Sequence, residues 1–505
     1  MVKKMRVYEW LKRICTNLPE NVAINFKNQI WKYKDLLLSV DATASYLQKK
    51  YELKVGDRVV YYGPNNPEII ILILAASKIG IIIVPINWRL EITEITFLIH
   101  NSSPKLIIFD PVFKNNFQKF FEKNIDAIPI VNDDDYGFSF SERRKNYSDS
   151  YNVEGNNLDL LLVYTSGTTG KPKGAVLGQN SLICNALMSH HAHGMVLNDK
   201  VYVCLPLFHV GGINILLMPA LLKGATVFLE DKFDKDKVVL TIKEKKITQI
   251  ITVPTILSEL IKNKFWNKIN ISSLKNISVG STDVPIDLIN EVHKNNIPVI
   301  QIYGATETSP LAIYQTPDIA FNSIGSIGKK GLHCSIKLVD QQLREVEEGN
   351  EGEILVKGEN VLSYYWKDKD ASVENIVDGW FRTGDIAYLD KNGLFWFQDR
   401  IKNVIISGGE NIYPAELERI LNSLEYINEF SIVGKKDKYW GEVPVIVLSN
   451  KNNIYSKEEI LNYFIGKLAK YKIPKEVIFI NKLPKNALGK IKVSDVKQIV
   501  NETNF

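Results

Sequence analysis

The segment Tyr164–Gly174, with the sequence YTSGTTGKPKG, gathers the residue types that bind phosphate. Glycines let a backbone approach a polyphosphate closely, hydroxyls donate hydrogen bonds, and lysines supply positive charge. The apolar run LDLLLVY leads into this segment and is typical of a strand. The pattern therefore predicts a phosphate-binding loop that includes Thr165, Ser166, Gly167, Thr168, Thr169, Gly170, Lys171 and Lys173.

The spacing within this loop excludes two common nucleotide motifs. A Walker loop ends in Gly-Lys followed by Ser or Thr, whereas Pro172 follows Gly170-Lys171 in this chain. The Gly-x-Gly-x-x-Gly pattern of dinucleotide-binding folds is also absent from the loop. The remaining alternative is a surface loop rich in Ser, Thr and Gly. The strand before it, the spaced glycines and the paired lysines favour phosphate binding instead.

Further residues suited to this chemistry stand in short segments later in the chain. Glu307 lies in IYGATET, where the alternative is an ordinary exposed loop acid. A strand-end carboxylate such as Asp385 can accept two sugar hydroxyls, and the planar guanidinium of Arg400 suits oxyanions. His209 ends LPLFH, and a lone histidine is more often structural than functional. These residues become informative only through the segments around them.

The elements that must position these residues alternate between short β-branched runs and helical patterns. This alternation predicts layered α/β sheets with largely parallel strands. The predicted strands are Val59–Tyr62, Ile81–Ile86, Leu106–Phe109, Leu160–Val163, Thr226–Leu229, Ile250–Val253, Ile277–Val279 and Val299–Ile302. From Ser335 the closely spaced strands and Gly, Asp and Asn turns predict a small antiparallel barrel or sheet. The polar residues 132–155 predict a surface loop.

A separate C-terminal unit is predicted to begin at Lys402. Its pattern predicts helices over Pro414–Leu424 and Lys457–Lys470. Strands are predicted over Phe430–Val433, Val443–Leu448 and Val477–Ile480. The division into residues 1–401 and 402–505 agrees with the length of the chain, 505 residues, which exceeds one ordinary hydrophobic core.

Composition restricts the class of protein. The chain is 45% hydrophobic and 24% charged, as expected of a globular enzyme, and its net charge of +5 is too small to predict a nucleic-acid-binding surface. Four widely separated cysteines and three histidines without acidic neighbours predict neither a disulfide framework nor a metal cluster: Cys15, Cys184, Cys204, Cys334, His190, His191 and His193. The basic N-terminus lacks the apolar core of a signal peptide, so a cytoplasmic location is expected.

The apolar stretch Ile69–Ile86 is nearly long enough to cross a bilayer. Lys78 in its middle, followed by Gly80, instead favours a buried helix over 67–79 and a buried strand. No transmembrane span is predicted, and peripheral contact with a membrane stays open.

The order of these segments resembles the adenylate-forming superfamily of acyl-CoA synthetases, luciferases and peptide-synthetase adenylation domains. The similar segments run through the whole chain: YTSGTTGKPKG, LPLFH, IYGATET, GWFRTGD, DRIKNVIISGGENIYPAE and PKNALGK. The resemblance implies an α/β fold, with a large N-terminal domain of layered sheets and a small barrel, followed by a small mobile α+β domain. It also implies ATP with Mg²⁺, and CoA as the co-substrate.

The resemblance assigns nucleotide roles residue by residue. Glu307 matches the magnesium-associated glutamate, and Thr168 of the loop is expected beside the same metal. Thr306 matches the contact to the α-phosphate. Asp385 matches the ribose-binding acid, and Lys490 matches the lysine that catalyses adenylation. The other nucleotide contacts expected from the resemblance are Gln301, Tyr303, Gly304 and Arg400.

The same resemblance also assigns residues to the second half-reaction, in which a thiol displaces AMP, and to binding of the acid. A hinge at Lys402 is expected to turn the small domain, after which Ser407, Gly408 and Gly409 line the thiol tunnel. Lys232 matches a contact to CoA phosphates in plant-type ligases. The acyl group is expected against His209, Val210, Gly211, Gly280, Ser281 and Ala305. Whether Asp283 faces this pocket stays open.

The expected function is an AMP-forming acid–CoA ligase. Ile406 stands where some aryl-acid ligases carry a second lysine, and IISGGEN is typical of the fatty-acyl branch. Medium- or long-chain fatty acids are therefore expected first, then arylacrylates such as ferulate, then o-succinylbenzoate. The alternative is an adenylating enzyme that loads a separate carrier protein. The sequence does not give the oligomeric state.

Overall fold

Helices and β-branched strands alternate along the chain in the computed structural model. It describes residues 5–113, 130–132, 159–165, 172–282, 284–408, 410–424, 427, 429–449, 455–485 and 490–502. The chain forms two compact units. The large unit comprises Met1–Ile336 and Val356–Arg382, and the small unit comprises Lys337–Leu355 and Thr383–Phe505.

The helices are numbered in chain order. Those of the first half are α1 (Val7–Asn17), α2 (Tyr33–Tyr51), α3 (Pro67–Ile79), α4 (Ile92–Ser102), α5 (Gln179–Ala192), α6 (Val210–Gly212), α7 (Met218–Lys223) and α8 (Lys235–Lys245). The later ones are α9 (Pro254–Ile261), α10 (Ile286–His293), α11 (Lys369–Asn375), α12 (Pro414–Asn422), α13 (Lys457–Asn462) and α14 (Val493–Glu502).

The strands are numbered in the same way. The first are β1 (Val22–Phe26), β2 (Gln29–Lys32), β3 (Arg58–Tyr62), β4 (Ile82–Ile86), β5 (Leu106–Phe109), β6 (Ile130–Asn132), β7 (Asp159–Thr165), β8 (Lys173–Gly178) and β9 (Lys200–Val203). Next come β10 (Thr226–Leu229), β11 (Gln249–Thr252), β12 (Asn276–Gly280), β13 (Val299–Tyr303), β14 (Ile313–Tyr314), β15 (Lys329–Lys330), β16 (Cys334–Val339), β17 (Glu351–Gly358) and β18 (Tyr364–Tyr365). The last are β19 (Ile376–Val377), β20 (Trp380–Leu389), β21 (Phe395–Arg400), β22 (Ile405–Ser407), β23 (Glu410–Ile412), β24 (Phe430–Asp437), β25 (Gly441–Ser449) and β26 (Glu476–Ile480).

Two sheets form the large unit. One has the order β15-β14-β13-β12-β11-β9-β10-β1-β2, and its central strands from β13 to β1 are parallel. The other has the order β18-β8-β7-β4-β3-β5-β6, with an antiparallel hairpin of β7 and β8. This arrangement confirms the predicted α/β class with largely parallel sheets.

The two sheets enclose a layer of helices. Alternate residues of β3 show this, because Val59 and Tyr61 join the core shared with α1, α2 and α3, whereas Val60 and Tyr62 pack against α4 on the opposite face. The nine-stranded sheet likewise carries α8, α9 and α10 on its outer face. Five layers result, alternating helix and sheet.

The apolar stretch that resembled a membrane span lies inside this layered core. Helix α3 begins at Pro67 and ends at Ile79 as predicted, and every one of its residues is buried. Lys78 is neutralised by Asp41, whose carboxylate lies 2.8 Å from the Lys78 ammonium. Among the described residues no helix has the length and apolar character needed to cross a bilayer.

The chain passes between the two units within strands β16, β17 and β20. These strands form the sheet β16-β17-β20-β19, and β21 pairs with β20. They account for the strand-rich segment predicted from Ser335 onward. The predicted surface loop 132–155 lies outside the described residues apart from Asn132, which ends β6.

The small unit has its own sheet, β23-β22-β25-β24, with β26 parallel to β25. Helices α12 and α13 pack on it around Leu417, Ile446 and Phe464. The helix predicted over Lys457–Lys470 is wrong in length, since α13 ends at Asn462. After Asn462 the amides of Phe464, Ile465 and Lys467 bond to carbonyl oxygens three residues back, so tighter turns replace the α-helix. The predicted domain boundary at Lys402 stays a prediction.

Candidate active site

The predicted phosphate loop stands between the two strands of an antiparallel hairpin. Thr165 at the end of β7 is the cross-strand neighbour of Lys173 at the start of β8. The residues between these strand ends that were predicted to bind phosphate lie outside the described residues: Ser166, Gly167, Thr168, Thr169, Gly170 and Lys171. The sequence therefore predicted the strand before the loop, and the structure adds the strand after it.

Gly174 packs closely against its neighbours at the start of β8. A Cβ atom at this position would lie 2.7 Å from Leu162 Cδ1, the end of a flexible side chain, and 3.1 Å from Tyr164 Cε1. A larger residue would require these side chains to move, and the predicted place of Gly174 in the phosphate loop stays a prediction.

The carboxyl ends of the parallel strands β9, β11, β12 and β13 meet at one edge of the nine-stranded sheet, where open α/β sheets bind ligands. Strand β12 ends at Gly280 and is followed by exposed Ser281, and β13 ends at half-buried Tyr303. Gly304 and Ala305 follow Tyr303. The topology therefore brings the predicted acyl-binding and nucleotide-binding segments after β12 and β13 together at this edge. Asp283 lies outside the described residues.

At Gly280 and Gly304, close packing leaves no room for a side chain. A Cβ on Gly280 would lie 2.6 Å from the carbonyl oxygen of Ile302, and one on Gly304 would lie 1.6 Å from that of Pro310. Gln301 is buried, and its side-chain amide donates to the carbonyl oxygen of Ser326 at 2.5 Å. The amide nitrogen of Gln301 thus has a structural contact, and its predicted role beside the nucleotide stays a prediction.

Glu307 lies in the short 3-10 turn Thr306–Thr308 directly after this edge. Its carboxylate oxygen Oε1 accepts a hydrogen bond from the Tyr365 hydroxyl at 2.9 Å, and its carbonyl oxygen accepts one from the Leu362 amide at 2.7 Å. Thr308 is completely buried under the turn. Glu307 and Thr306 are therefore presented by a rigid turn and not by a free loop.

Buried amides support the backbone of this turn. Asn360 donates from Nδ2 to the carbonyl oxygen of Leu311 at 2.9 Å, and Asn214 donates from Nδ2 to that of Ser309 at 3.0 Å. Both asparagines are almost fully buried. Removal of either amide would leave a buried carbonyl without its donor, which costs more than the hydrogen bond itself contributes.

His209 begins a short irregular helical segment. It precedes α6, which continues into a π-helix over Ile213–Leu217, and its ring contacts the Phe208 ring edge-on with centroids 4.7 Å apart. Such π-helical turns are often found at functional sites. Val210 is buried, whereas His209 and Gly211 are half-buried and retain access to solvent.

The two glycines after Val210 differ in their surroundings. A Cβ on Gly212 would lie 2.3 Å from the carbonyl oxygen of Pro206, so the fold requires glycine there. A Cβ on Gly211 would meet only Ile215 Cδ1, at 3.7 Å, which is ordinary contact. The fold does not require glycine at position 211.

In the small unit, Asp385 and Arg400 are direct neighbours on the antiparallel pair of β20 and β21. Arg400 Nε lies 3.1 Å from Asp385 Oδ1, and the Asp385 side chain is 8% exposed while that of Arg400 is 53% exposed. The pairing neutralises a carboxylate that is nearly buried. It also leaves much of the guanidinium accessible to an anionic ligand.

Two lysines, Lys490 and Lys402, lie near this pair. The surrounding protein and the charge of Arg400 lower the pKa of Lys490 below its ordinary value. Desolvation, Arg400 and Lys497 likewise lower the pKa of Lys402, which the charge of Asp385 opposes. Arg400 is therefore the cation that lies near both Lys490 and Lys402. The cluster is electropositive and can attract a polyphosphate or an adenylate.

The predicted CoA residues are found in different surroundings. Ser407 is buried at the end of β22, and Gly408 has φ 60° with its amide donating to the Trp440 carbonyl oxygen at 2.7 Å. A Cβ on Gly408 would lie 2.9 Å from the Trp440 ring, so this glycine serves both the turn and the packing. Lys232 is exposed, and Gly409 lies outside the described residues.

The sequence did not single out Tyr365, Asn360 or Asn214, although each supports the turn that carries Glu307. The only signal was their position in polar or aromatic segments, such as SYYW, that no motif explained.

The three histidines in and directly after α5 contact separate partners. His190 contacts the Pro219 carbonyl, His191 the Tyr314 hydroxyl and His193 Ser189.

The described residues contain no cluster of three His, Cys, Asp or Glu side chains that could hold a metal alone. Mg²⁺ binds through one or two carboxylates together with phosphate oxygens and water. The single carboxylate of Glu307 therefore fits a magnesium ion that arrives with the nucleotide, and it does not fit a resident metal centre.

The chain matches known protein families along most of its length. Residues 11–366 match the AMP-binding enzyme family, and residues 416–490 match the AMP-binding enzyme C-terminal domain. Indoleacetate–CoA ligase of Aromatoleum aromaticum is 39% identical over 507 residues, which cover 99% of each chain. A 2-succinylbenzoate–CoA ligase of Bacillus cytotoxicus is 34% identical over 98% of each chain.

The o-succinylbenzoate CoA synthetase of Bacillus subtilis, solved with its acyl-adenylate, superimposes with a TM-score of 0.86 at 29% identity, covering 98% of each chain. The same enzyme has been solved with ATP and magnesium. These matches confirm the predicted family and the predicted use of ATP, Mg²⁺ and CoA. The chain belongs to the AMP-binding enzyme family and is an AMP-forming acid–CoA ligase.

Proposed function

We propose that the acid is an arylacetic or similar aryl-substituted acid, of the class of indoleacetate. The observation that carries this proposal is the 39% identity with an indoleacetate–CoA ligase over essentially the whole of both chains. Fatty acids, which the sequence placed first, have no comparable support. The relatives named for 2-succinylbenzoate also act on an acid with an aromatic ring.

The surroundings of Gly211 agree with a bulky acid. Gly280 and Gly304 are required by backbone contacts, whereas no fold contact explains the missing side chain at Gly211. The Phe208–His209 ring pair directly precedes Val210 and Gly211 in the chain. An aromatic acyl group packs well against such rings because edge and face contacts add to simple burial. Gly211 is therefore proposed to leave room for the ring of the acid.

In the proposed first half-reaction, a carboxylate oxygen of the acid attacks the α-phosphorus of ATP and pyrophosphate leaves. Both reactants are anions, so catalysis depends on positioning and charge neutralisation. Glu307 would hold the magnesium ion that accompanies ATP, and that ion would neutralise phosphate charge. Thr306 would contact the α-phosphate, Asp385 would accept the ribose hydroxyls, and Lys490 would contact the developing charge.

In the proposed second half-reaction, the thiol of CoA attacks the acyl carbon and AMP leaves. Lys490 is not needed for this step. We propose that the hinge at Lys402 moves it away and brings the Ser407–Gly409 segment to the thiol. Lys232 remains a proposal for CoA phosphates on the basis of its exposure and charge. A cytoplasmic location also stays a prediction.

The experiment is an acid panel. Indoleacetate, phenylacetate, ferulate, 2-succinylbenzoate, octanoate and palmitate are each tested for ATP–pyrophosphate exchange and for thioester formation with free CoA. We expect the highest kcat/KM for the arylacetates. A higher kcat/KM for octanoate or palmitate would refute the proposed acid class. Thioester formation with a carrier protein but not with free CoA would support the alternative acceptor.

A further inference from the structure

The segment Asn360–Trp366 lies between two parts of the candidate site in the large unit. On one side, β18 pairs with β8, with Tyr365 opposite Ala175. The amides flanking β18 extend this pairing, because Trp366 donates to the carbonyl oxygen of Gly174 at 2.7 Å. The segment is therefore fixed to the strand that directly follows the phosphate loop.

On its other side the same segment holds the turn that carries Glu307. Leu362 donates its amide to the Glu307 carbonyl oxygen at 2.7 Å, and Asn360 donates its side-chain amide to the carbonyl oxygens of Thr308 and Leu311 at 3.3 and 2.9 Å. These contacts fix the backbone of the turn. They leave the direction of the Glu307 side chain to be fixed by another group.

Tyr365 supplies that group. Its hydroxyl donates to Glu307 Oε1 at 2.9 Å, and the whole residue is 5% exposed. The phenol O–H can donate and the ionised carboxylate can only accept, so the direction of this hydrogen bond is fixed by the chemistry of the two groups. The Lys173 ammonium lies 5.6 Å from the centre of the Tyr365 ring, within the range of a cation–π contact.

We propose that Tyr365 is a positioning residue for adenylation, which aims the Glu307 carboxylate at the nucleotide-bound magnesium ion and couples it to the phosphate loop through Lys173. The hydrogen bond holds one carboxylate oxygen of Glu307, and we expect this to set the direction of the whole carboxylate group. Tyr365 contacts both the Lys173 ammonium and the Glu307 carboxylate, so the cation of the loop and the metal-binding anion are held in one arrangement. The inference rests on the role proposed above for Glu307.

Tyr364 provides a matched control on the same two-residue strand. Its hydroxyl donates to Asp159 Oδ2 at 2.9 Å, on the opposite face of β18 and away from Glu307. A Tyr→Phe change at either position removes one phenol–carboxylate hydrogen bond and keeps the ring. The two variants therefore lose the same chemistry, and only Tyr365→Phe should alter the response to magnesium.

The decisive measurement is the affinity for α,β-methylene-ATP by isothermal titration calorimetry, once with Mg²⁺ and once with EDTA. The wild-type chain is expected to bind more tightly with Mg²⁺. In Tyr365→Phe, the factor by which Mg²⁺ increases the affinity should be roughly tenfold smaller than in the wild-type chain, as expected for the loss of one hydrogen bond to a charged group. AMP affinity should stay the same in both variants, and Tyr364→Phe should keep the full Mg²⁺-dependent gain.

Activity supplies the second measurement. Tyr365→Phe should raise the magnesium concentration for half-maximal adenylation, yet convert chemically supplied acyl-adenylate and CoA to thioester at the wild-type rate. Thermal melting of both variants reports folding separately. If Tyr365→Phe lost as much nucleotide affinity with EDTA as with Mg²⁺, the proposal would be overturned. It would also be overturned if Tyr364→Phe reduced the Mg²⁺-dependent gain as much as Tyr365→Phe does.

The variant Glu307→Ala distinguishes the two roles. If it loses the Mg²⁺-dependent gain while Tyr365→Phe keeps it, the role of Tyr365 is wrong and that of Glu307 stands. If Glu307→Ala itself keeps the gain, both roles are wrong. Addition of Tyr365→Phe to Glu307→Ala should have no further effect on the Mg²⁺-dependent gain, because the two side chains are expected to act as one unit.

Discussion

Substitution of the two adjacent glycines, Gly211→Ala and Gly212→Ala, separates acid recognition from folding. The added methyl at position 211 meets only Ile215 Cδ1, at 3.7 Å, so the fold should keep its stability to within about 0.5 kcal/mol. At position 212 the methyl would lie 2.3 Å from the Pro206 carbonyl oxygen. Overpacking of this kind costs about 1–3 kcal/mol or more.

For a bulky acid, the methyl of Gly211→Ala would occupy space proposed to hold the aromatic ring. The same overpacking range of about 1–3 kcal/mol then corresponds to a fall in kcat/KM of about 5- to 150-fold. A small acid such as propionate would not reach the methyl. The expected result is a reduced ratio of kcat/KM for indoleacetate to that for propionate.

The assay is thioester formation with CoA across acids of increasing size, with thermal melting of both variants beside it. If Gly211→Ala leaves the indoleacetate-to-propionate ratio unchanged, then Gly211 does not face the acid and the proposed pocket is wrong. If Gly212→Ala melts like the wild-type chain, then the packing argument from the Pro206 carbonyl fails.

Three further predictions concern the small unit. Lys490→Ala should abolish acid-dependent ATP–pyrophosphate exchange but retain thioester formation from supplied acyl-adenylate; equal loss of both would contradict the two-step scheme. The charged form of Lys490 is expected to act in adenylation, and its pKa is lowered. As the pH rises, the rate of adenylation should therefore fall at a lower pH than it would with an ordinary lysine. Lys490→Arg should shift this fall to higher pH in a pH–rate profile. Asp399 accepts hydrogen bonds from both sides of the proposed hinge, so Asp399→Asn should slow adenylation more than thioester formation, measured as separate half-reactions; the reverse order would contradict a role for Asp399 in holding the observed arrangement.

The alternation of strands and helices in the sequence predicted the core of the large unit with little error. Helix α3 was found at its predicted bounds because Pro67 favours the first position of a helix and Gly80, with φ 75°, ends it. The helix predicted over Lys457–Lys470 was too long because α13 ends at Asn462 and the amides of Phe464, Ile465 and Lys467 then bond three residues back. Periodicity alone does not show where an α-helix changes to tighter turns.

Residues of the candidate site were predictable where a sequence motif contains them. They were missed where only packing in the folded chain brings them together. Asp385 and Arg400, which two separate motifs contain, were found as cross-strand neighbours, and their nucleotide roles stay predictions. Tyr365 was missed because its contact with Glu307 joins residues 58 positions apart in the chain. The close packing of Gly174 against Leu162 and Tyr164 could not be known before β7 and β8 were paired.

Asp399 shows what a rotation at Lys402 would have to break. This buried carboxylate accepts hydrogen bonds from the Arg400 amide before the proposed hinge, and from the Asn403 side chain and the Ala415 amide after it, at 2.6, 3.1 and 2.7 Å. Burial raises the pKa of Asp399, and these donors oppose that rise. A turn at Lys402 that moved residues 403–415 would remove two of the three donors from a buried carboxylate. Asp399 therefore stabilises the observed arrangement, in which Arg400 and Lys490 lie close together, and a turned arrangement must either find new donors for Asp399 or expose it to water.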